Sequence, residues 1–356
     1  MSSPRRGTSL LRLTSGRGPA PTVDLVQISV NRPSSPARIA VIGGGQNSEH
    51  DVSLASAAAV TRAMDPALFA AVPLTIERDG SWAFEGSPIS FADAVGVLQS
   101  CDAAFPVLHG ARGEDGTLAA LLDLAGVPFV GSGVRAGALA MDKWTTKLVA
   151  QAVGVATARG VVVRRTDPPA AFESGAFNSA DSAVVVKPVA SGSSFGVALV
   201  EDPALLAGAV AAAFEFDDRV LVEERVVGRE VDIGVLGRPD GSRVIGAALE
   251  IVVPGSLFDL ATKYDGSADF RVPAPLSPEV RSRLEEAAVT VFDALRCAGV
   301  ARVDFFVTNT GIVLNEVNTM PGMTDLSQVP RMFDAVGLAY PQLITTLILD
   351  VIDAGR

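Results

Sequence analysis

Val184-Val185-Val186-Lys187-Pro188-Val189-Ala190-Ser191-Gly192-Ser193-Ser194-Phe195-Gly196-Val197 reads as an apolar strand ending on a lysine, a loop of small polar residues, and the start of a returning strand. β-Branched residues suit a pleated, half-buried surface, and the Gly/Ser run marks the turn. Such a loop offers backbone N–H groups and hydroxyls that can close over a polyphosphate while Lys187 offsets its charge. It is not a P-loop, because no Gly-Lys-Ser/Thr sequence opens a helix. Taken alone, the loop is read more simply as a hairpin without a ligand; the rest of the chain reverses that.

Lys187 carries weight because lysine is scarce. The chain has four, Lys143, Lys147, Lys187 and Lys263, against 25 arginines. Where bulk positive charge suffices this protein uses Arg, so the remaining lysines are candidates for work that needs a compact, flexible ammonium. Both histidines also sit in short polar motifs, Ser48-Glu49-His50-Asp51 and His109-Gly110-Ala111-Arg112-Gly113-Glu114-Asp115-Gly116. His50 fits a helix start as well as a catalytic site, Lys147 reads as a solvated charge four residues beyond Lys143, and Tyr340 reads as a packing residue.

A second informative stretch lies near the C-terminus. The runs Ala301 to Val307 and Ile312 to Val317 are strands joined by Thr308-Asn309-Thr310-Gly311, which has the Asn and Gly of a tight turn. Period-two alternation can place Asp304, Glu316 and Asn318 on one face. Both acids interrupt apolar runs, and a buried acid needs a partner. Oxygen ligands without Cys or His suit Mg²⁺ and disfavour zinc. Between these stretches, Leu221-Val222-Glu223-Glu224-Arg225-Val226-Val227-Gly228-Arg229-Glu230 joins an acidic strand end to an apolar connector that can accept hydrogen bonds from a base and a ribose.

Outward from these motifs the 356-residue chain divides by texture. Residues 1 to 36 are rich in Ser, Pro, Gly and Arg, and the first acid is Asp24; they read as a disordered tail, with an organelle transit peptide as the weaker alternative. Residues 37–132 alternate strand and helix from Arg38-Ile39-Ala40-Val41-Ile42 onward, which predicts a parallel sheet wrapped by helices with ligands at the carboxyl ends of its strands. Those ends hold Gly43-Gly44-Gly45 and His109-Gly110. Strands are expected near 71–76, 103–108 and 127–130. Residues 133–226 read as a smaller α+β domain opening with one long helix from Arg135 to Val153, and residues 227–356 as a third domain. The 48% hydrophobic content is ordinary for a globular protein. A net charge of −11 argues against a nucleic-acid surface. No stretch approaches the roughly 18 uninterrupted apolar residues of a membrane span. Cys101 and Cys297 lack metal-ligand spacing and read as free thiols in a reducing compartment.

In order, the chain carries Gly43-Gly44-Gly45 with Glu49-His50-Asp51-Val52-Ser53, His109-Gly110 with Gly113-Glu114-Asp115-Gly116, Met141-Asp142-Lys143, Lys187-Pro188 with Gly192-Ser193-Ser194, Gly228-Arg229-Glu230, Lys263-Tyr264, Arg302-Val303-Asp304, and Asn315-Glu316-Val317-Asn318-Thr319-Met320-Pro321-Gly322. This set resembles the D-alanine–D-alanine ligases of the ATP-grasp superfamily, over residues 38 to 352. The resemblance implies three α/β and α+β domains, with ATP gripped between the central and C-terminal ones and two D-alanines bound toward the N-terminal, parallel-sheet domain. Lys143, Lys187 and Lys263 would contact ATP phosphates beside Ser194. Glu223, Val226 and Glu230 would take the adenine and ribose. Asp304, Glu316 and Asn318 would hold two Mg²⁺ ions, or Mn²⁺ in their place, with Glu316 bridging.

By the same resemblance, Glu49 binds the first substrate's ammonium, His109 lies near its carboxylate, and Ser327 contacts the second substrate's carboxylate. Arg302 and the backbone N–H of Gly322 would stabilise the tetrahedral oxyanion. Glu49, Ser193 and Tyr264 would form a hydrogen-bonded set that closes the 254–273 segment over the site. A cytoplasmic homodimer making a cell-wall peptidoglycan precursor is the implied setting. Ser191 stands where the commoner pattern has Glu, as in resistance ligases that join D-lactate, whereas Lys263-Tyr264 points to the peptide-forming type and is weighted more. A D-serine ligase, or a resistance or antibiotic-pathway relative, stays open. A catalytically silent nucleotide-binding relative should have lost phosphate or metal positions, and these are intact. A nucleotide-dependent oxidoreductase fails because Gly43-Gly44-Gly45 lacks the full Gly-x-Gly-x-x-Gly spacing.

Replacing Tyr264 with Phe is expected to let hydroxy acids compete with amines for the second subsite. Unchanged selectivity in a direct competition between D-alanine and D-lactate would count against that role.

Overall fold

A strand buried on both faces organises the N-terminal part. β1 (Ala37–Gly44) has Ile39, Ala40, Val41 and Ile42 at 0 to 2% exposure, and it pairs in parallel with β2 (Phe69–Ile76) and β5 (Ala103–Pro106). Such continuous apolar strands belong to parallel sheets covered by helices. Here the neighbouring helices are α1 (His50–Ala63), α2 (Phe91–Gln99) and α3 (Thr117–Ala125). The structure, a computed structural model, describes residues 35–167, 183–252 and 269–354. The expected tail, most of the 254–273 segment, Lys263 and Tyr264 therefore lie outside the described residues.

The expected parallel sheet is present as β2-β1-β5, but its edge differs from the sequence reading. An antiparallel hairpin, β3 (Trp82–Phe84) and β4 (Ser87–Ile89), continues it past β2. Strands of three residues carry too little periodicity to be read from sequence. The expected strand at 127–130 is reduced to a parallel bridge between Ala104 and Phe129. At the carboxyl end of β1, Gly44 has φ +89° and a Cβ there would lie 2.2 Å from the Ile76 carbonyl oxygen, so the turn into the site requires glycine.

The single helix expected over 135–153 is two, α4 (Val134–Met141) and α5 (Lys143–Ala152). Asp142 interrupts them in an extended conformation, and its carboxylate accepts from Thr145 N at 2.8 Å, capping α5. Arg219 fixes the same carboxylate at 2.6 Å. The second sheet has the order β6-β9-β7-β8, all antiparallel, from β6 (Gly160–Arg164), β7 (Val184–Pro188), β8 (Ala198–Val200) and β9 (Arg219–Glu224). A 3-10 turn (Pro203–Leu205) leads into α6 (Leu206–Ala213), whose Val210 joins Val186, Val220 and Val222 in a small core.

The third sheet runs β13-β12-β10-β14-β15, with β11 paired to β10. Its strands are β10 (Arg229–Gly237), β11 (Arg243–Ile245), β12 (Leu249–Val252), β13 (Asp269–Arg271), β14 (Gly299–Val307) and β15 (Ile312–Asn318). Residues 243–252 thus form two short strands, β11 and β12, rather than one. Helix α7 (Pro278–Leu295) begins with Ser277 as cap and Pro278 at its first position, and buries Leu284, Ala288, Val291 and Phe292. Ala136, Ala140 and Ala150 of α4 and α5 share that core with Val231, Val303 and Leu314.

Two further helices, α8 (Gln328–Asp334) and α9 (Tyr340–Ala354), complete the described chain. Leu343, Ile344 and Leu347 of α9 are buried with Ile39, Val41 and Phe105 of the first sheet and Leu249 of the third. At roughly 1.5–3 kcal/mol per fully buried aliphatic side chain, this shared core seats the first sheet against the third. Tyr340 donates its hydroxyl to Met323 O at 2.5 Å and packs against the same core, in keeping with the packing role. Cys101 and Cys297 are both free.

Candidate active site

Lys143 and Lys147 are four residues apart on α5 and therefore share one helix face. That face is turned toward β9 and β15. The Lys143 ammonium donates to Ser191 O at 2.8 Å and lies 3.2 Å from Glu316 Oε2. Lys147 Nζ lies 2.9 Å from Glu223 Oε2, an ion pair without hydrogen-bond alignment. Lys187, at the end of β7, lies 2.5 Å from Glu223 Oε1 and donates to Asn315 Oδ1 at 3.2 Å. The reading of Lys147 as a solvated charge is overturned, since it is 1% exposed. The i, i+4 spacing from Lys143 was the available signal, since it puts both lysines on one helix face.

Glu223 is thus a buried carboxylate shared by two ammonium groups. Burial would raise its pKa, but the charges of Lys187 and Lys147 outweigh this and hold it below the ordinary carboxylate value. The Lys147 pKa moves down, because burial disfavours its charge more than Glu223 restores it.

The Gly/Ser loop after β7 turns through two consecutive left-handed residues, Ser193 at φ 47° and Ser194 at φ 59°. L-residues rarely hold this conformation without compensation, and here Ser193 Oγ donates to Glu49 Oε1 at 2.5 Å. Glu49 is the N-cap position of α1, yet its side chain makes no capping bond, and Asn47 Oδ1 accepts from its N–H instead. Room for the Glu49 carboxylate depends on two glycines: a Cβ at Gly110 would lie 2.5 Å from Glu49 Oε2, and one at Gly192 2.6 Å.

His50 opens α1, is buried, and meets Gly45 O through Nδ1 at 2.7 Å, so its role is to hold the turn after β1. His109 follows β5. Its Nδ1 faces Met320 O at 2.8 Å and must carry a proton there, while Nε2 meets Ser56 Oγ at 3.2 Å. Burial pulls its pKa down, but the neighbouring Glu114 and then Glu49 raise it above the ordinary value overall. Glu114 is raised in turn, by burial, with His109 opposing.

On the third sheet, the ladder sets Asp232 opposite Asp304, Asp304 opposite Glu316, and Arg302 opposite Asn318. The alternation argument for Asp304, Glu316 and Asn318 therefore holds, with a register shift only beyond Asp304. Arg302 grips Asp304 with two bonds, Nε to Oδ1 at 2.7 Å and Nη2 to Oδ2 at 2.8 Å, and Asn318 Nδ2 adds one at 2.9 Å. Burial opposes the charge on Arg302, but Asp304 outweighs it and raises its pKa. Asp232 escaped the sequence reading although it interrupts the apolar part of its strand, Val231 to Leu236, the same signal that marked Asp304. Burial and then the charge of Asp304 push its pKa well above the usual range.

These donors fit a hard divalent cation. All are oxygens, they share one face, and Asp304 and Glu316 are each neutralised here by a protein cation that a metal ion could replace. Among the described residues no three acidic, His or Cys side chains close around a single point, so the remaining ligands would be phosphate oxygens and water. Gly322 and Ser327 approach each other at the far wall: a Cβ on Gly322 would lie 3.1 Å from Ser327 Oγ, which also accepts from Thr324 N at 3.1 Å.

Every nominated residue within the described parts, including Ser194, Val226 and Glu230, lines one cleft of about 730 Å³ between the second and third sheets and the carboxyl ends of the first. The residues that sequence reasoning missed, Glu114, Asp232 and Gln328, line it too.

A Gly/Ser loop on one antiparallel sheet, facing an acid row on another across a lysine-lined cleft, defines an ATP-grasp architecture. The chain belongs to the D-alanine–D-alanine ligase family: the model described as D-ala D-ala ligase C-terminus matches residues 149–349, and that described as D-ala D-ala ligase N-terminus matches 38–94 and 90–132. A curated relative, D-alanine–D-alanine ligase from Nocardia farcinica (strain IFM 10152), is 40% identical over 89% of this chain and 98% of its own length. Among solved structures, the VanG D-Ala:D-Ser ligase from Enterococcus faecalis is 35% identical with a TM-score of 0.79, covering 88% of this chain and 99% of that one. A D-alanine–D-alanine ligase from Bacillus anthracis complexed with ATP is 27% identical with a TM-score of 0.74, covering 90% of this chain and 98% of that one.

Glu223→Gln leaves two buried ammonium groups without a counter-charge and is expected to destabilise the protein by about 3 kcal/mol at pH 7.5, read by urea unfolding. Because the folded pKa of Glu223 is depressed below 4.5, its stabilisation is complete above that pH and fades as the pH falls through the folded value. The gap between variant and wild type should therefore narrow in acid and stay constant between pH 6 and 8.

Proposed function

We propose that this protein joins two D-alanines to D-alanyl-D-alanine at the expense of ATP, through an acyl phosphate. The observation that carries this reading is the 2.5 Å contact from Ser193 in the Gly/Ser loop to Glu49 at the first sheet. It brings a phosphate-binding loop against a carboxylate suited to an amino acid's ammonium, so nucleotide and amino acid would share one closed space.

In the first step a carboxylate oxygen of the first D-alanine attacks the γ-phosphorus of ATP, and the bond to the β-phosphate oxygen breaks to release ADP. Lys143, Lys187 and Lys263 reduce the repulsion between the two anions, while Glu49 and His109 orient the amino acid. Glu223, Val226 and Glu230 take the adenine and ribose. Two Mg²⁺ ions on Asp304, Glu316 and Asn318 would supply charge neutralisation at the transferred phosphoryl group when bound. The amine of the second D-alanine, oriented through Ser327, then attacks the acyl carbon. Arg302 and the Gly322 N–H stabilise the oxyanion, inorganic phosphate leaves with the carbon–oxygen bond, and the amine loses a proton. Glu49, Ser193 and Tyr264 keep water from the acyl phosphate.

The setting we assign is the cytoplasm, where ATP is available, and a homodimer; no helix among the described residues is long and apolar enough to cross a membrane. A second reading, with D-serine as the acceptor, is favoured by the likeness to the Enterococcus faecalis D-Ala:D-Ser ligase.

Purified protein given ATP, Mg²⁺ and D-alanine should release ADP and phosphate and form the dipeptide by mass. Turnover only when D-serine or D-lactate is added would reassign the second substrate, and no turnover with any of them would sink the ligase reading. Glu316→Ala should lower Mg²⁺-dependent turnover by roughly a hundredfold or more; activity near wild type would remove Glu316 from the metal set.

A further inference from the structure

Asp232 is a buried acid that the reaction scheme leaves without a task. It lies in the middle of β10, 1% exposed, directly opposite Asp304 in the ladder. Its Oδ2 accepts from Gln328 Nε2 at 3.1 Å and stands 3.6 Å from Arg302 Nε. Its Oδ1 is buried with no hydrogen-bond partner among the described residues. Leaving a buried carboxylate oxygen without a donor is costly, so this oxygen is an acceptor open to a further donor.

The nearest donor is already engaged. Arg302 has five N–H groups in a planar fork, and it directs Nε and one Nη2 hydrogen at Asp304. Both Asp304 oxygens are consequently taken, Oδ1 by Arg302 and Oδ2 by Arg302 and Asn318. A cation arriving at Asp304 competes with the Arg302 charge for the same two oxygens. A guanidinium displaced into a buried site needs another carboxylate at once, because an unpaired buried charge is strongly disfavoured.

We propose that Asp232 is a positioning residue that receives the Arg302 guanidinium when Asp304 turns to a divalent cation. This rests on the metal role proposed for Asp304. With a cation present, each of the two acids has one positive partner; without it, both acids face one arginine, and Asp232 is the one left short. The handover is small, since Arg302 Nε and Asp232 Oδ2 are already 3.6 Å apart. It also keeps Arg302 anchored at the floor of the cleft during the second step, when its remaining N–H groups serve the oxyanion.

The test is Mn²⁺ binding to the full chain saturated with ADP, followed by electron paramagnetic resonance. Asp232→Asn keeps the side-chain volume and an oxygen for Gln328 but removes the charge. Mn²⁺ affinity should fall about tenfold, in the range seen for residues that support metal ligands, while ADP affinity without metal stays within about twofold. Asp232→Glu, which restores the charge, should recover most of the Mn²⁺ affinity. Should the Asn variant fail to fold, Asp232→Ser gives the same comparison. Equal Mn²⁺ affinity in the charge-removing variant and wild type would overturn the inference, and so would an equal loss of metal-free ADP binding, which marks general damage to the site. Absence of Mn²⁺ binding in the wild type would instead defeat the metal reading of Asp304, and this inference with it, so the wild-type titration separates the two failures.

Discussion

A carboxylate removed from water must be matched by positive charge, and in this fold Glu223 is matched by two ammonium groups from two different elements. Lys187 comes from β7, in the same sheet as Glu223, while Lys147 comes from α5, whose apolar face belongs to the core of the third sheet. The pairing therefore ties the second sheet to the third at the back of the cleft. Asn315 on β15 closes the set by accepting from Lys187. The three strong constraints on the cleft's width are thus ionic or polar, and they lie on the wall formed by β7, β9, α5 and β15.

The opposite boundary is set by steric exclusion around a second carboxylate. Gly110 and Gly192 leave room for the Glu49 carboxylate in its present position, and the two left-handed serines bring the loop down onto it. His109 extends this wall by joining the end of β5 to Met320. The first sheet does not float beside the others: α9 buries Leu343, Ile344 and Leu347 between it and the third. Rigid apolar packing on one side and short polar contacts on the other hold the same cleft from both ends.

Much of this was legible from sequence, for identifiable reasons. The β14–β15 hairpin was readable because alternation and an Asn/Gly turn agree on one register, and that register forces Asp304 and Glu316 to face each other. Lys187 was readable because the chain avoids lysine. The break at Asp142 was not, since Val134 to Ala152 has helical composition throughout and only tertiary contact with Arg219 shows why the aspartate leaves the helix. Lys147 was misjudged for the same reason: burial depends on which face of α5 meets β9, and that follows from the break. Asp232 carried the signal that identified Asp304, but it lacked a second acid on a neighbouring strand until the sheet order put β10 beside β14.

Most of the site's charges are paired within the protein. Asp304 is held by Arg302, Glu316 by Lys143, and Lys143 also binds the Ser191 carbonyl. Any ligand must therefore exchange for internal partners, and the exchange is uneven for a ligand of one sign. An anion that draws Lys143 away leaves Glu316 without its cation; a metal ion that takes Asp304 leaves Arg302 seeking a new carboxylate. On the proposed reading, a polyphosphate arriving together with its divalent cations would satisfy both sets in one event, because the lysines would gain phosphate oxygens as the acids gain metal. On the proposed reading these pairings would favour the combined ligand over either part alone, and Asp232, whose Oδ1 is buried without a hydrogen-bond partner among the described residues, lies directly opposite the acid that would take the metal.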